Sequence, residues 1–141
     1  MDEKIRKMLK NGVNITHDDL VRLENNSPGV IKFMERVDDI LKYRIVAEVT
    51  DSKYCFAQLK PGQRFVIDDG GVLNPGASTA PFCMRALGPL TGFVNSIIEM
   101  IAEGADPNNL VFRNAECLDP GLDHGGLGKV YFKIYVEKMR D

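Results

Sequence analysis

The sequence lacks several features on which a functional assignment often rests. It has no tryptophan, and its formal net charge is −2. No apolar run approaches the ~20 residues that a helix needs to span a bilayer. Without an excess of basic residues, the chain has no electrostatic basis for binding nucleic acid. We therefore predict a protein that binds neither nucleic acid nor membranes.

The N-terminal residues MDEKIRKMLKNG (1–12) also lack the apolar segment of a secretory signal peptide. This favours a cytoplasmic location. With 141 residues, the chain has the length of one domain and can fold without disulfides or metals. Any thiol or metal chemistry is therefore optional for folding, which makes it a candidate for function.

Cysteine is scarce, with Cys55, Cys83 and Cys117 far apart in the chain. An odd number of cysteines would leave one unpaired in a disulfide-bonded protein, and the cytoplasm disfavours structural disulfides. None of the three belongs to a CxxC pair, which excludes the usual zinc-ribbon and thioredoxin patterns.

The hydrophobic pattern predicts an α+β fold. Residues 1–42 read as a helical N-terminal arm, with one helix ending near Gly12, a second capped by Thr16 and a third starting at Ser27-Pro28. The rest, 43–141, is predicted to be an α+β cysteine-containing domain, and the two parts are expected to form one compact unit overall.

Alternating or β-rich segments predict a small, four-stranded, mainly antiparallel sheet, either open or curled toward a barrel. One kinked helix should cover it, because Gly88-Pro89 must bend or split the helical pattern. The predicted strands are Tyr43–Thr50, Arg64–Ile67, Leu110–Cys117 and Lys129–Lys138, and the helix spans Phe82–Glu103.

All three cysteines lie at the ends of predicted elements, where chain reversals bring distant segments together. His124 follows Cys117 in the next loop, and a set of three cysteines and one histidine suits zinc or an iron–sulfur cluster. Cys83 also falls at a helix start, where backbone N–H groups favour a thiolate, so it is the candidate catalytic nucleophile. The alternative is that the thiols are inert, because free cysteine often serves as a small buried hydrophobe.

A glycine-rich loop, GLDHGGLG (121–128), precedes the last strand. It matches neither the phosphate-binding loop GxxxxGK[ST] nor the dinucleotide fingerprint, and both of those need a following helix. We interpret it as a flexible connection between strands.

Three short motifs carry a resemblance to a known family. They are CFAQLKPGQRF (55–65), PFCMRAL (81–87) and CLDP (117–120). Over about residues 43–138 the chain resembles a family of small prokaryotic proteins without an established function, whose pattern is a cysteine before KxGxxF, a CxxAL helix start and a CxDP segment. The resemblance implies that the three thiols belong together. The chain departs from the pattern by its N-terminal forty residues and by Ala57-Gln58 where the family has a Gly-His pair.

Three hypotheses follow. The first is a cytosolic thiol or metal-thiolate binding protein using Cys55, Cys83 and Cys117, with His124 as a candidate fourth ligand. The second is an enzyme or small-molecule binder with a reactive Cys83 and with Arg85 or Asp119 as polar anchor. The third is a non-catalytic interaction module that forms a homodimer through the N-terminal helices.

Overall fold

The computed structural model describes residues 1–139, so the last two residues of the predicted 43–141 domain lie outside it. The chain divides into two compact units, Met1–Asp39 and a larger one that begins at Ile40. Each is described by itself. No helix among the described residues has both the length and the apolar character to cross a membrane.

Capping residues in the sequence define the helices of the smaller unit. The Asp2 side chain accepts a hydrogen bond from the Lys4 N–H at 3.1 Å, and Thr16 Oγ1 accepts one from the Asp19 N–H at 3.2 Å. Such bonds satisfy N–H groups that have no partner within the helix. The helices are α1 (Glu3–Val13), α2 (His17–Asn26) and α3 (Pro28–Glu35), followed at the boundary between the units by α4 (Val37–Ile40).

The helix predicted to end near Gly12 runs one residue further, to Val13. The helix is capped by Asn14, whose φ of 54° is left-handed and whose N–H donates to the Lys10 carbonyl at 3.2 Å. Asparagine is one of the few residues other than glycine that tolerate this conformation.

The larger unit is an open antiparallel sheet with helices, which confirms the α+β class. Its strands are β1 (Tyr43–Lys53), β2 (Arg64–Asp68), β3 (Val72–Leu73), β4 (Asn114–Glu116) and β5 (Lys129–Lys138). Their order is β3-β2-β1-β5-β4, and every neighbouring pair is antiparallel. The described residues thus form five strands where four were expected, and the sheet does not close into a barrel.

The predicted long helix is split into α5 (Met84–Leu87) and α6 (Leu90–Ala102), as expected from Gly88-Pro89. The third predicted strand, Leu110–Cys117, shortens to β4. Val111 and Phe112 precede this strand and are more than four-fifths exposed.

The core lies around β1 and β5, which pair along their whole length. On β5 the residues Val130, Phe132 and Ile134 are buried and alternate with exposed ones. The Phe132 ring lies 5.9 Å from the Phe65 ring of β2, measured between centroids. This pair of strands positions the loops at its ends, including those that carry Cys55 and Cys117.

Candidate thiol site

The three cysteines line one small pocket, with a volume of about 60 Å³. A single buried water needs ~10–15 Å³, so the pocket has room for one ion or a small group. Two charged residues, Arg85 and Asp119, line it as well. The rest of the lining is apolar or glycine and consists of Phe56, Ala57, Leu59, Ala86, Gly128 and Val130.

Cys55 follows β1 in a tight turn, which the Gln58 N–H closes by donating to the Cys55 carbonyl at 3.1 Å. The flanking residues Tyr54 and Gln58 have φ values of 53° and 60°. A left-handed backbone is uncommon outside glycine, and it persists only where the surrounding structure enforces it. Here Gly128 lies directly against the turn, because a Cβ at this position would come within 2.5 Å of the Tyr54 carbonyl oxygen.

Cys117 follows β4 and is the most buried of the three cysteines, with only 7% of its surface exposed. Its N–H donates to the Val130 carbonyl at 2.9 Å, and the Val130 N–H donates to the Cys117 Sγ at 3.4 Å. The ammonium group of Lys129 donates to the Cys117 carbonyl at 2.9 Å. The main chain of β5 therefore fixes this thiol.

Cys83 is half-buried and caps the start of α5, where its carbonyl accepts from the N–H groups of Ala86 and Leu87 at 3.0 and 2.9 Å. The helix has only four residues. The helix dipole that was predicted to act on Cys83 is therefore that of a single helical turn. The Leu118 N–H donates to the Arg85 carbonyl at 2.9 Å, which ties α5 to the residue after Cys117.

The Asp119 carboxylate organises the loop beside the pocket. It accepts hydrogen bonds from the N–H groups of Gly121, Leu127 and Gly128 at 2.9, 3.0 and 3.3 Å. The pKa of Asp119 is lowered most by the hydrogen bond from Gly121, and further by the bonds from Leu127 and Gly128 and by the positive charge of Arg85. Desolvation opposes this lowering. The loop interpreted as a flexible connection is thus pinned by one ionised side chain.

His124 does not line the thiol pocket. It lies in a 3₁₀ turn (Leu122–His124) and lines a separate, larger cleft of about 570 Å³ with Glu116 and Lys129. Successive side chains of a strand point to opposite faces. Cys117 and Val130 therefore face the thiol pocket, while their neighbours Glu116 and Lys129 face the cleft.

The structure thus brings Cys55, Cys83 and Cys117 to one pocket and leaves His124 in another place. Within residues 1–139, no group of three or more His, Cys, Asp or Glu side chains is already arranged to hold a metal ion. The predicted anchors Arg85 and Asp119 both line the thiol pocket.

Sequence reasoning missed the part that Gly128 plays in this site. Its contact with Tyr54 joins segments that are remote in sequence, so no local pattern marks it. The density of glycine after Asp119 was the available signal, because glycine permits close approach of two backbones.

Comparisons of the chain with protein-family models, with curated proteins and with solved structures found no match. The chemistry of the site therefore has to be inferred from its own residues.

Proposed function

We propose that this is a thiol protein that binds a thiophilic metal ion through Cys55, Cys83 and Cys117. The supporting observation is that three thiols from remote segments, and none in a CxxC pair, line a single pocket of about 60 Å³. Thiolates are soft ligands that select soft or borderline ions such as Cu(I) and Zn²⁺. The resemblance stated from the sequence implies that the three thiols belong together and assigns no ligand to them.

The three cysteines suit a thiophilic metal by residue type, but within residues 1–139 no such group is arranged to hold one, so the thiols must move to bind it. Rotation about χ1 moves the sulfur atom of each cysteine from one staggered rotamer to another. Binding also releases the thiol protons, so the affinity rises with pH. A reducing compartment such as the cytoplasm would keep all three groups available as thiols.

Zinc usually has four ligands, and iron–sulfur clusters are usually held by four cysteines. With three cysteines in the pocket, either group would need a fourth ligand from His124 or from outside the chain. His124 lines a different cleft. Its contribution is therefore a separate question from that of the thiols, and substitution can separate the two.

The experiment is elemental analysis and absorption spectroscopy on anaerobically purified protein, followed by metal titration. We expect bound metal in the wild type and an affinity at least about tenfold lower, or about 1.4 kcal/mol, in each of Cys55→Ser, Cys83→Ser and Cys117→Ser. His124→Ala is the matched control for a metal ligand outside the pocket. A wild type that takes up no metal, or serine variants that bind as well as it does, would refute the proposal.

A second candidate function is thiol chemistry on a small molecule. It is favoured by the half-buried positions of Cys55 and Cys83 and by the Arg85 guanidinium in the lining of the same pocket. Arginine is suited to an anionic substrate group. Metal-free protein with a reactive Cys83 should be alkylated by iodoacetamide fastest at that residue, and slow, equal labelling of all three cysteines would count against this function.

A further inference from the structure

We propose that the cleft of about 570 Å³ binds an organic anion with a planar aromatic body, held by the ammonium group of Lys53 and by the rings of Tyr54 and Tyr131. This site does not use the thiols, so the inference goes beyond the proposed function. Three observations support it. They are the lining of the cleft, two lysines that lie opposite each other in the sheet, and the left-handed backbone of Tyr54.

The cleft has the size and the lining of a small-molecule site. Its volume of about 570 Å³ lies within the range of roughly 300–1,000 Å³ that is typical of ligand pockets. Two tyrosines, Tyr54 and Tyr131, and two leucines of the glycine-rich loop, Leu122 and Leu127, contribute to the lining. These four side chains are between 43% and 62% exposed. An aromatic ligand can therefore reach both rings from solvent and pack against them.

Two lysines lie directly opposite each other at the end of the β1–β5 ladder, and both line the cleft. Lys53 of β1 is the register partner of Lys129 of β5. Like charges at directly opposite positions of an antiparallel pair destabilise the sheet. A local arrangement that costs stability is expected where it serves a function. An anion bound in the cleft would reduce the repulsion between the two lysines, whereas a cation would be repelled by both.

The surroundings of the two lysines distinguish Lys53 as the group that meets the anion. The Lys129 ammonium donates to two main-chain carbonyls at 2.9 and 2.7 Å and pairs with the Glu116 carboxylate at 3.4 Å. The Lys53 ammonium lies 5.1 Å from the centroid of the Tyr54 ring. Within residues 1–139, neither carboxylate of the cleft, Glu116 or Asp123, forms an ion pair with Lys53. Lys53 can therefore pair with a ligand without losing an existing partner.

The backbone of Tyr54 adopts a costly conformation at the edge of the cleft. Its φ of 53° is left-handed, which is rare for a bulky side chain. Gly128 packs against this turn, since a Cβ there would come within 2.5 Å of the Tyr54 carbonyl oxygen. Residues held in such conformations by their surroundings cluster at binding sites. The Tyr54 side chain is 58% exposed, so burial in the core does not explain why the conformation is maintained.

The test uses two fluorescent probes that share their aromatic rings. 8-Anilinonaphthalene-1-sulfonate is an aromatic anion, and N-phenyl-1-naphthylamine lacks the sulfonate. With the full chain, we expect one sulfonate probe per chain and an affinity that falls as the salt concentration rises. Amide shifts in NMR spectra should change at Lys53, Tyr54 and Tyr131. Comparison of the two probes isolates the contribution of the anionic group.

Lys53→Glu should weaken binding of the sulfonate probe about tenfold and change binding of the neutral probe less than about twofold. The same substitution should raise the midpoint of urea unfolding, because a glutamate opposite Lys129 replaces a repulsive pair by an attractive one. Lys60→Glu makes the same charge change at an exposed turn residue outside the cleft and should leave both affinities unchanged. Tyr131→Ala should weaken both probes about threefold or more, because it removes a stacking surface.

Three results would overturn the site. Equal losses of both probes in Lys53→Glu would show that the ammonium does not bind the anion, and a lowered unfolding midpoint would show that the two lysines do not repel each other. A sulfonate affinity that responds to Phe112→Ser and not to Lys53→Glu would place the probe on the exposed apolar segment before β4. Cys83→Ser should bind both probes normally, so this site and the proposed metal site can fail independently.

Discussion

Gly128 and the Cys55 turn bring two remote segments of the chain into close contact at the thiol site. The glycine is buried at the start of β5, next to the carbonyl of Tyr54 and the Cα of Cys55. Because a side chain at residue 128 would collide with backbone atoms, rotation of a flexible side chain cannot relieve the clash. The position of Cys55 therefore depends on the lack of a Cβ at a residue more than seventy positions away in sequence.

We expect Gly128→Ala to lower the free energy of unfolding by about 1–3 kcal/mol, because the added methyl group displaces the Cys55 turn. Urea unfolding measures the change. Gly92→Ala in α6 is the matched control: a Cβ there meets nothing within 4 Å. Alanine within a helix stabilises by roughly 0.5–1 kcal/mol over glycine. Equal effects of the two substitutions would show that the close approach at Gly128 is not tight.

At the residue scale, the sequence predicts that the three cysteines lie together, but it does not predict that His124 lies outside their pocket. Cysteines at element ends can be recognised in the sequence, and Cys55, Cys83 and Cys117 do line one pocket. The position of His124 depends on which face of the sheet each residue of β4 and β5 presents. A shift of one residue in register would exchange these faces, and the glycine-rich loop gives no pattern from which to derive the register.

At the scale of elements, β5 illustrates how alternation divides the larger unit into two sides. Phe132 is 1% exposed and contacts the Phe65 ring, whereas its neighbour Tyr131 is 43% exposed and lines the outer cleft. The two aromatic residues are adjacent in sequence but contribute to different surfaces. Substituting each of the two residues therefore distinguishes the contribution of the core to stability from that of the cleft.

We expect Phe132→Ala to lower the free energy of unfolding by about 3–5 kcal/mol, since it removes a buried ring and leaves a cavity. Tyr131→Ala should cost no more than about 1 kcal/mol, the span of strand propensity at an exposed position. Denaturant titration compares the two variants. Similar losses would mean that the outer face of β5 is as tightly packed as the inner one.

The elements themselves were predictable where local patterns are strong. The alternation of β1 and β5, the cap at Thr16 and the break at Gly88-Pro89 each have a local physical cause. β3 has only two residues, Val72 and Leu73, which is too short for an alternating pattern. In the predicted strand 110–117, the apolar Val111 and Phe112 are exposed, because hydrophobicity alone does not decide which residues find a partner strand.

At the scale of the whole molecule, the homodimer through the N-terminal helices stays a prediction from the sequence. The smaller unit exposes Val13, Val21 and Val30 to 67%, 41% and 44%. Isolated apolar residues on a surface are common, so exposure alone does not define an interface. The prediction depends on whether charges introduced at these residues change the mass of the particle in solution.

Light scattering after size exclusion should give twice the chain mass for the wild type. Val21→Lys and Val30→Lys should give the mass of one chain, because a lysine cannot be buried unpaired in an apolar interface. Val111→Lys, at an 86% exposed position of the larger unit, should leave the dimer intact. A monomeric wild type, or dissociation caused by Val111→Lys alone, would contradict the prediction.

The pairing of β1 with β5 has a consequence for the order of events during synthesis. Tyr43 lies opposite Lys138, and the ladder closes at Lys53 and Lys129, so about 75 residues are synthesised after β1 is complete before its partner strand begins. Such long-range pairing folds slowly. Cys55, Cys83 and Cys117 are all translated during this interval, before Gly128 and Val130 exist to enclose them. The nascent chain thus presents three open thiols until the last strand docks.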